Sequence, residues 1–304
     1  GFVGGTFTND RRKGMYVRGR DLLTLDLDSI PAGQTEDLLK RIAGLGCAAA
    51  VYSTRKHAGY APRLRVIIPL DETAAPDEYE PAARKAAEII GIGFCDPTTF
   101  DPCRLMYWPS CCAGSEYIYR IYDNPFCSLK GLLGMYQDWK SISEWPQVPG
   151  AEATERKRIA KQEDPTNKRG LIGAFCRTYS VTDAMEKFLP GLYEPTEVSG
   201  RYTYTGGSTT GGAVIYDGDL FLYSHHATDP CSGQLVNAFD LVRLHRFGDL
   251  DVEAKEGTPV NKLPSFVQMS RLAKEDADVA GRMVKERVDQ AKLAFGIGDA
   301  PAPD

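Results

Sequence analysis

The stretch Leu22–Ser29, "LLTLDLDS", sets the first half of the chain. It reads as a β-strand with the apolar flanks of a central strand. Asp26 and Asp28 lie two residues apart, so on a strand their carboxylates share one face. Two like charges side by side repel and resist burial. A divalent cation between them removes the conflict. The plainer alternative is a strand end carrying two solvated acids, and the apolar neighbours speak against it.

The pattern continues on both sides. "TEDLLKRIAGLG" follows as a helix, with Thr35 as N-cap and Gly44 or Gly46 near its end. "CAAAVYSTRKH" reads as a second strand and "RLRVIIPL" as a third. "PDEYEPAARKAAEIIGI" is a second helix. "GFCD" opens an extended region through "RLMYWPS", and "EYIYRIY" is a further strand. The order β-α-β-β-α-β is that of the split βαβ, ferredoxin-like or RRM-like unit. Its usual sheet places strand 1 in the centre, beside strands 3 and 4. The fold class expected is therefore α+β, with an RRM-like/ferredoxin-like (βαββαβ) core over 1–145.

After Trp145 the texture changes. Residues 146–168 read as a charged linker with one exposed helix, and 169–255 as a smaller accessory α+β domain. In that domain "GLIGAFCRTYSVTDAMEKFL" and "NAFDLVRLHRFG" are helical. Asp217-Gly218 joins two strands as a hairpin. Residues 256–304 form a charged helical tail, ending in the linker-like "GIGDAPAPD". With a Gly-Phe start, this pattern suggests a piece of a longer protein.

The chain has 304 residues and a formal net charge of −5, which argues against a uniformly basic nucleic-acid binder but leaves room for a local basic groove. No apolar run is long enough to span a bilayer and no signal peptide is evident, so no membrane partner is expected. Eight irregularly spaced cysteines, without a Cys-x-x-Cys pair, suit reduced thiols in a cytoplasm. Cys103, Cys111, Cys112 and Cys127 match no familiar zinc spacing.

Three features carry chemistry. The first is the Asp26/Asp28 pair. The second is "YSTRKH", where Ser53, Arg55, Lys56 and His57 cluster donors at a strand end, a composition suited to phosphate. Arg63 and Arg65 share a face of strand 3 and add to it. The third is "FCDPTTFDPCRLMYWP", where Asp96 or its competitor Asp101 supplies a third acid and Arg104 follows. Three acids of this kind make a two-metal site of the polymerase and nuclease type. Before strand 1, "RRKGMYVRGR" mixes Arg11, Arg12, Lys13, Arg18 and Arg20 with Tyr16. That mixture suits a nucleic-acid backbone with one stacking ring, or else a solvated basic turn.

The order Asp-hydrophobe-Asp, Ser-to-His, hydrophobe-Asp on this unit resembles the archaeo-eukaryotic primase superfamily, the primase-polymerases. "FVGGTF…RRKG…LLTLDLDS", "YSTRKH…RLRVIIPL" and "CDPTTFDPCRLMYWPS" look like the amino-terminal primase region of phage and mobile-element replication proteins of the virulence-associated protein E type. The later "RYTYTGG…LVRLHRFGDLD" resembles the segment that follows in them, so the likeness runs to about residue 250. It implies a bacterial-host cytoplasmic enzyme that makes primers on single-stranded DNA from NTPs or dNTPs. Asp26, Asp28 and Asp96 would hold two Mg²⁺ or Mn²⁺ ions, with Asp101 as the alternative third ligand. Ser53 or Arg55, with Lys56 and His57, would meet the triphosphate. Arg63, Arg65 and Arg104 would contact nucleotide or template, and a helicase domain or protein would be a partner.

Rival readings are a metal-dependent nuclease, a non-catalytic nucleic-acid-binding module, and a rolling-circle initiator. The last needs His-hydrophobe-His, whereas His225 and His226 are adjacent and would face opposite ways on a strand. Ser224, His225, His226 and Asp229 read as a hydrogen-bonded turn or as a template- or primer-binding knot.

Overall fold

A computed structural model describes residues 1–151, 162–216, 218–255 and 257–295. Two compact units draw on interleaved segments of the chain. One comprises Gly1–Arg158, Pro195–Ala213 and Ser224–Gly233, the other Ile159–Glu194, Val214–Tyr223 and Gln234–Asp304. Most of the expected linker helix, Asp217 of the expected hairpin, and the terminal "GIGDAPAPD" lie outside the described residues.

The first unit is built on β1 (Gly5–Phe7), β2 (Val17–Leu27), β3 (Ala49–Ser53), β4 (Leu64–Ala74) and β5 (Tyr119–Tyr122), in the order β1-β2-β4-β3-β5. All its ladders are antiparallel. Helices α1 (Thr35–Ala43) and α2 (Pro76–Ile90) are the crossovers after β2 and β4. Thr35 opens α1 rather than capping it; Gln34 is the N-cap. The period-2 pattern decides the faces. Leu23, Leu25, Leu27, Val51, Leu64, Val66 and Ile68 are fully buried in one core with Leu38 and Ile42 of α1 and Tyr79, Ala83 and Ala87 of α2. Burying a side chain of this size contributes roughly 1.5–3 kcal/mol. The intervening residues, Thr24, Asp26, Arg65 and Tyr52, therefore lie on the opposite face.

The expected fourth core strand is not formed. Its place beside β2 is taken by β1 and, further along, by one antiparallel bridge between Leu27 and Cys95. The reason is chemical. Pro97 and Pro102 have no amide to give to a ladder. The chain instead turns at 97–100, capped by Asp96, whose Oδ1 accepts from the Thr98 amide (2.9 Å) and hydroxyl (2.8 Å). Thr99 Oγ1 then substitutes for a strand partner, accepting from the Asp26 amide (2.8 Å) and donating to the Thr24 carbonyl (3.1 Å). "EYIYRIY" contributes β5, which pairs with β3 at the far edge.

A second five-stranded sheet orders β10 (Leu235–Val236), β9 (Phe221–Ser224), β8 (Ala213–Tyr216), β7 (Arg201–Tyr204) and β6 (Tyr193–Pro195). In the second unit the first expected helix is two, Gly170–Thr178 and Val181–Phe188. Ser180 starts the second, its hydroxyl accepting from the Asp183 amide while Asp183 accepts from the Ser180 amide. The charged tail is likewise two helices, Pro264–Glu275 and Ala277–Phe295, with Asp276 between them. No helix among the described residues is long and apolar enough to cross a membrane.

Candidate metal centre

The face of the first sheet opposite its apolar core carries a cross-strand row. Asp26 on β2 is opposite Arg65 on β4, Arg65 is opposite Tyr52 on β3, and Tyr52 is opposite Tyr119 on β5. Asp28 lies just past β2, and Asp96 is brought alongside by its amide, which donates to the Asp26 carbonyl at 2.9 Å. Ligand atoms of Asp26, Asp28 and Asp96 all lie within 4.8 Å of one another.

Each acid meets an arginine. Arg65 Nε is 3.3 Å from Asp26 Oδ1, Arg63 Nη1 is 3.0 Å from Asp28 Oδ2, and Arg104 Nη2 is 3.0 Å from Asp96 Oδ2 and 3.9 Å from Asp26 Oδ2. Three negative and three positive charges thus neutralise one another. Burial pushes the Asp26 carboxyl above the usual carboxylate range; Arg65 and Arg104 pull it back, while Asp28 adds to the rise. Asp26 Oδ1 is buried without a hydrogen-bond partner, as are Arg65 Nε and Arg104 Nε. Three converging carboxylates, with one buried oxygen that is ion-paired but makes no hydrogen bond, fit a hard divalent cation, which takes oxygen ligands.

Asp101 is turned to its own loop, where Oδ1 accepts from the Cys103 amide at 2.8 Å. The acid that joins the pair is Asp96. Cys103, Cys111, Cys112 and Cys127 form no metal-sized group among the described residues.

The donors divide. His57 is buried, and its Nδ1 accepts from the Arg63 amide at 3.0 Å. Its Nε2 therefore carries the proton, and this buried donor has no partner. Arg55 and Lys56 are exposed beside it in sequence. Ser53 corrects an expectation: it is fully buried, and its hydroxyl accepts from the Ile118 amide at 3.0 Å. It alternates away from Tyr52, and its hydroxyl is engaged by the segment leading into β5.

The basic segment also divides. Arg20 is fully buried, its guanidinium donating to the carbonyls of Gly4, Pro102 and Leu22, to the Thr24 hydroxyl and to the Tyr79 hydroxyl. It also lies 4.0 Å over the Tyr79 ring. It holds the fold and cannot reach a nucleic-acid backbone. Tyr16 is buried too and offers no stacking surface. Arg12, Lys13 and Arg18 are exposed and Arg11 is half-buried; Arg12 donates to the Cys103 carbonyl at 3.0 Å.

The His225-His226 segment is a turn. His226 is fully buried; its Nε2 accepts from the amides of Tyr204 (3.1 Å) and Gly212 (3.2 Å), and its Nδ1 lies 2.6 Å from Thr209 Oγ1. Both ring nitrogens are engaged, leaving none for a metal. Asp229 Oδ1 accepts from the Cys231 amide at 2.8 Å within the same turn.

Residues 1–148 match the family model described as the VapE N-terminal domain. Over these residues the chain is similar to that domain. The match contains the whole acid–arginine cluster, from Asp26 to Arg104. No curated protein and no solved structure matches the chain. Sequence reasoning missed Thr99, whose hydroxyl ties the third acid's loop to β2. A Thr two residues after Asp-Pro was the available signal, but its long-range partners were not.

Proposed function

We propose that this protein is a primase-polymerase of a phage or mobile element. It joins nucleotides on a single-stranded DNA template by nucleotidyl transfer, on an RRM-like core reduced to three strands plus edge additions. The observation that carries this reading is the set of three carboxylates within 4.8 Å, each matched by an arginine, inside the segment that matches the VapE N-terminal domain.

Asp26, Asp28 and Asp96 would hold Mg²⁺ or Mn²⁺, which would neutralise charge developing on the reacting phosphate. The chain's own groups do the remaining work. Arg63, Arg65 and Arg104 exchange their carboxylates for the triphosphate of an incoming NTP or dNTP, and the guanidinium fork suits that geometry. His57 donates a hydrogen bond from its Nε2–H to a phosphate oxygen, keeping the proton. Arg55 and Lys56 add charge at the rim, and Arg11, Arg12, Lys13 and Arg18 track the template backbone. A helicase domain or protein would extend this activity at a replication fork.

Single-stranded DNA templates, labelled nucleotides and Mg²⁺ or Mn²⁺ test the reading. Products that lengthen from nucleotides alone support it. Shortened template without synthesis assigns the acids to a nuclease.

A further inference from the structure

Beside the acid cluster stands a group of aromatic rings that the transfer chemistry does not use. Tyr107 and Trp108 are each 63% exposed, Tyr119 49% and Tyr117 42%. Large rings at this exposure lose contact with water only when something covers them. Their backbone is held firmly. The Tyr107 carbonyl accepts from the Tyr52 hydroxyl (2.8 Å) and from Arg65 Nη1 (3.1 Å). Phe2 and Met106 exchange both backbone hydrogen bonds at 2.8 Å, and the Phe2 ring lies 4.8 Å from Trp108.

The position of these rings relative to the acids follows from the sheet. Tyr119 ends the row Asp26–Arg65–Tyr52–Tyr119, and Tyr117 precedes it by two residues on the same side. Arg65 links the two ends: its guanidinium pairs with Asp26 and holds the Tyr107 carbonyl.

We infer that Tyr107, Trp108, Tyr117 and Tyr119 form a base-stacking platform for single-stranded nucleic acid entering the acid cluster. The inference rests on the transfer reading above, which supplies the strand that crosses this face. Charge complementarity selects the occupant. Arg65 stands beside the rings, bonded to the Tyr107 carbonyl with its guanidinium 5.8 Å from the Tyr107 ring centre, and Arg55 and Lys56 are exposed on the segment whose Arg55 carbonyl accepts from the Cys112 thiol (3.8 Å). Interleaved rings and cations bind bases by stacking and phosphates by charge, with little dependence on sequence.

The test uses the full chain, a labelled oligothymidylate and an abasic oligonucleotide of equal length. The two probes share phosphates and differ only in bases. The wild type is expected to prefer the base-bearing strand. Trp108→Ala and Tyr119→Ala should each weaken that binding about tenfold, the loss of one stacked base. Binding of the abasic strand, and metal-dependent binding of a nucleoside triphosphate, should hold constant. Trp108→Phe should retain most of the affinity. Equal binding of the two probes by the wild type would overturn the inference, as would variants that bind like the wild type. A change of oligomeric state in the variants with unaltered oligonucleotide binding would assign the face to a second copy of the chain. Base-dependent binding without nucleotide incorporation would leave the platform standing and remove the transfer reaction. Incorporation with unaltered binding by the variants would do the reverse.

Discussion

The Asp96 amide donates to the Asp26 carbonyl at 2.9 Å, so two acids 70 positions apart are joined through backbone. Their carboxylates converge without an ordered ladder between their segments. Thr99 completes the joint by bridging the Asp26 amide and the Thr24 carbonyl. Thr99→Val keeps the shape and leaves both groups unpaired in a buried setting. Unfolding by urea should show a loss of about 1–3 kcal/mol. Synthesis should fall with it, because the loop carrying Asp96 loosens. Unchanged stability would show that water replaces the hydroxyl freely.

On the proposed reading, the three ion pairs would make cation and nucleotide binding cooperative. While Arg63 is paired with Asp28 at 3.0 Å, part of the acid charge is already neutralised. Arg63→Ala should raise the affinity for Mn²⁺ alone and lower the affinity for a triphosphate, each by several-fold. Both partners are about one-third exposed, so the pair is worth no more than about 1 kcal/mol. Calorimetric titration with the metal alone, then with nucleotide, checks both signs. A loss of both affinities would mean that Arg63 orients Asp28 rather than competing for it.

His226 makes the first unit sensitive to acid. Burial holds its pKa below the ordinary 6.5, and two amides donate to Nε2, which a proton would displace. The unfolded chain therefore takes up the proton first. Stability is complete above about 6.5 and declines as pH falls below it, by up to about 1.4 kcal/mol per pH unit for one proton. His225 is held low as well, to about 3, by burial and by Arg84 and Arg201. His226→Asn should remove one proton's share of the slope and destabilise the unit at neutral pH by about 1–3 kcal/mol. Urea midpoints at neutral and mildly acid pH, read for both proteins, decide it; identical slopes would clear His226.

Much of the site was legible in the chain because period-2 alternation is a local property. Leu23, Leu25 and Leu27 against Thr24 and Asp26 fixed which side of β2 faces helices, and Arg65 followed the same rule on β4, with Asp28 and Arg63 just beyond the strand ends. What failed depended on long-range partners. Ser53 looks like a phosphate donor until its hydroxyl is seen taking the Ile118 amide. Arg20 looks like a backbone contact until its guanidinium is found among carbonyls that come together only on folding. The fourth strand failed for a local reason that could have been read: two prolines, Pro97 and Pro102, in the stretch assigned to it. The aromatic platform escaped notice because Tyr107 and Tyr119 are far apart in sequence and meet the row only through β3 and β4.

Asp28 offers the most direct measurement. It lies just past the end of β2 with its side chain 32% exposed, so its removal spares the core. Template-directed incorporation of labelled nucleotides should fall at least about 100-fold in Asp28→Ala, the scale of losing a group that stabilises transition-state charge. Single-strand binding and the unfolding midpoint should remain those of the wild type. Synthesis at the wild-type rate by a folded Asp28→Ala protein would contradict the assignment of these acids to nucleotidyl transfer.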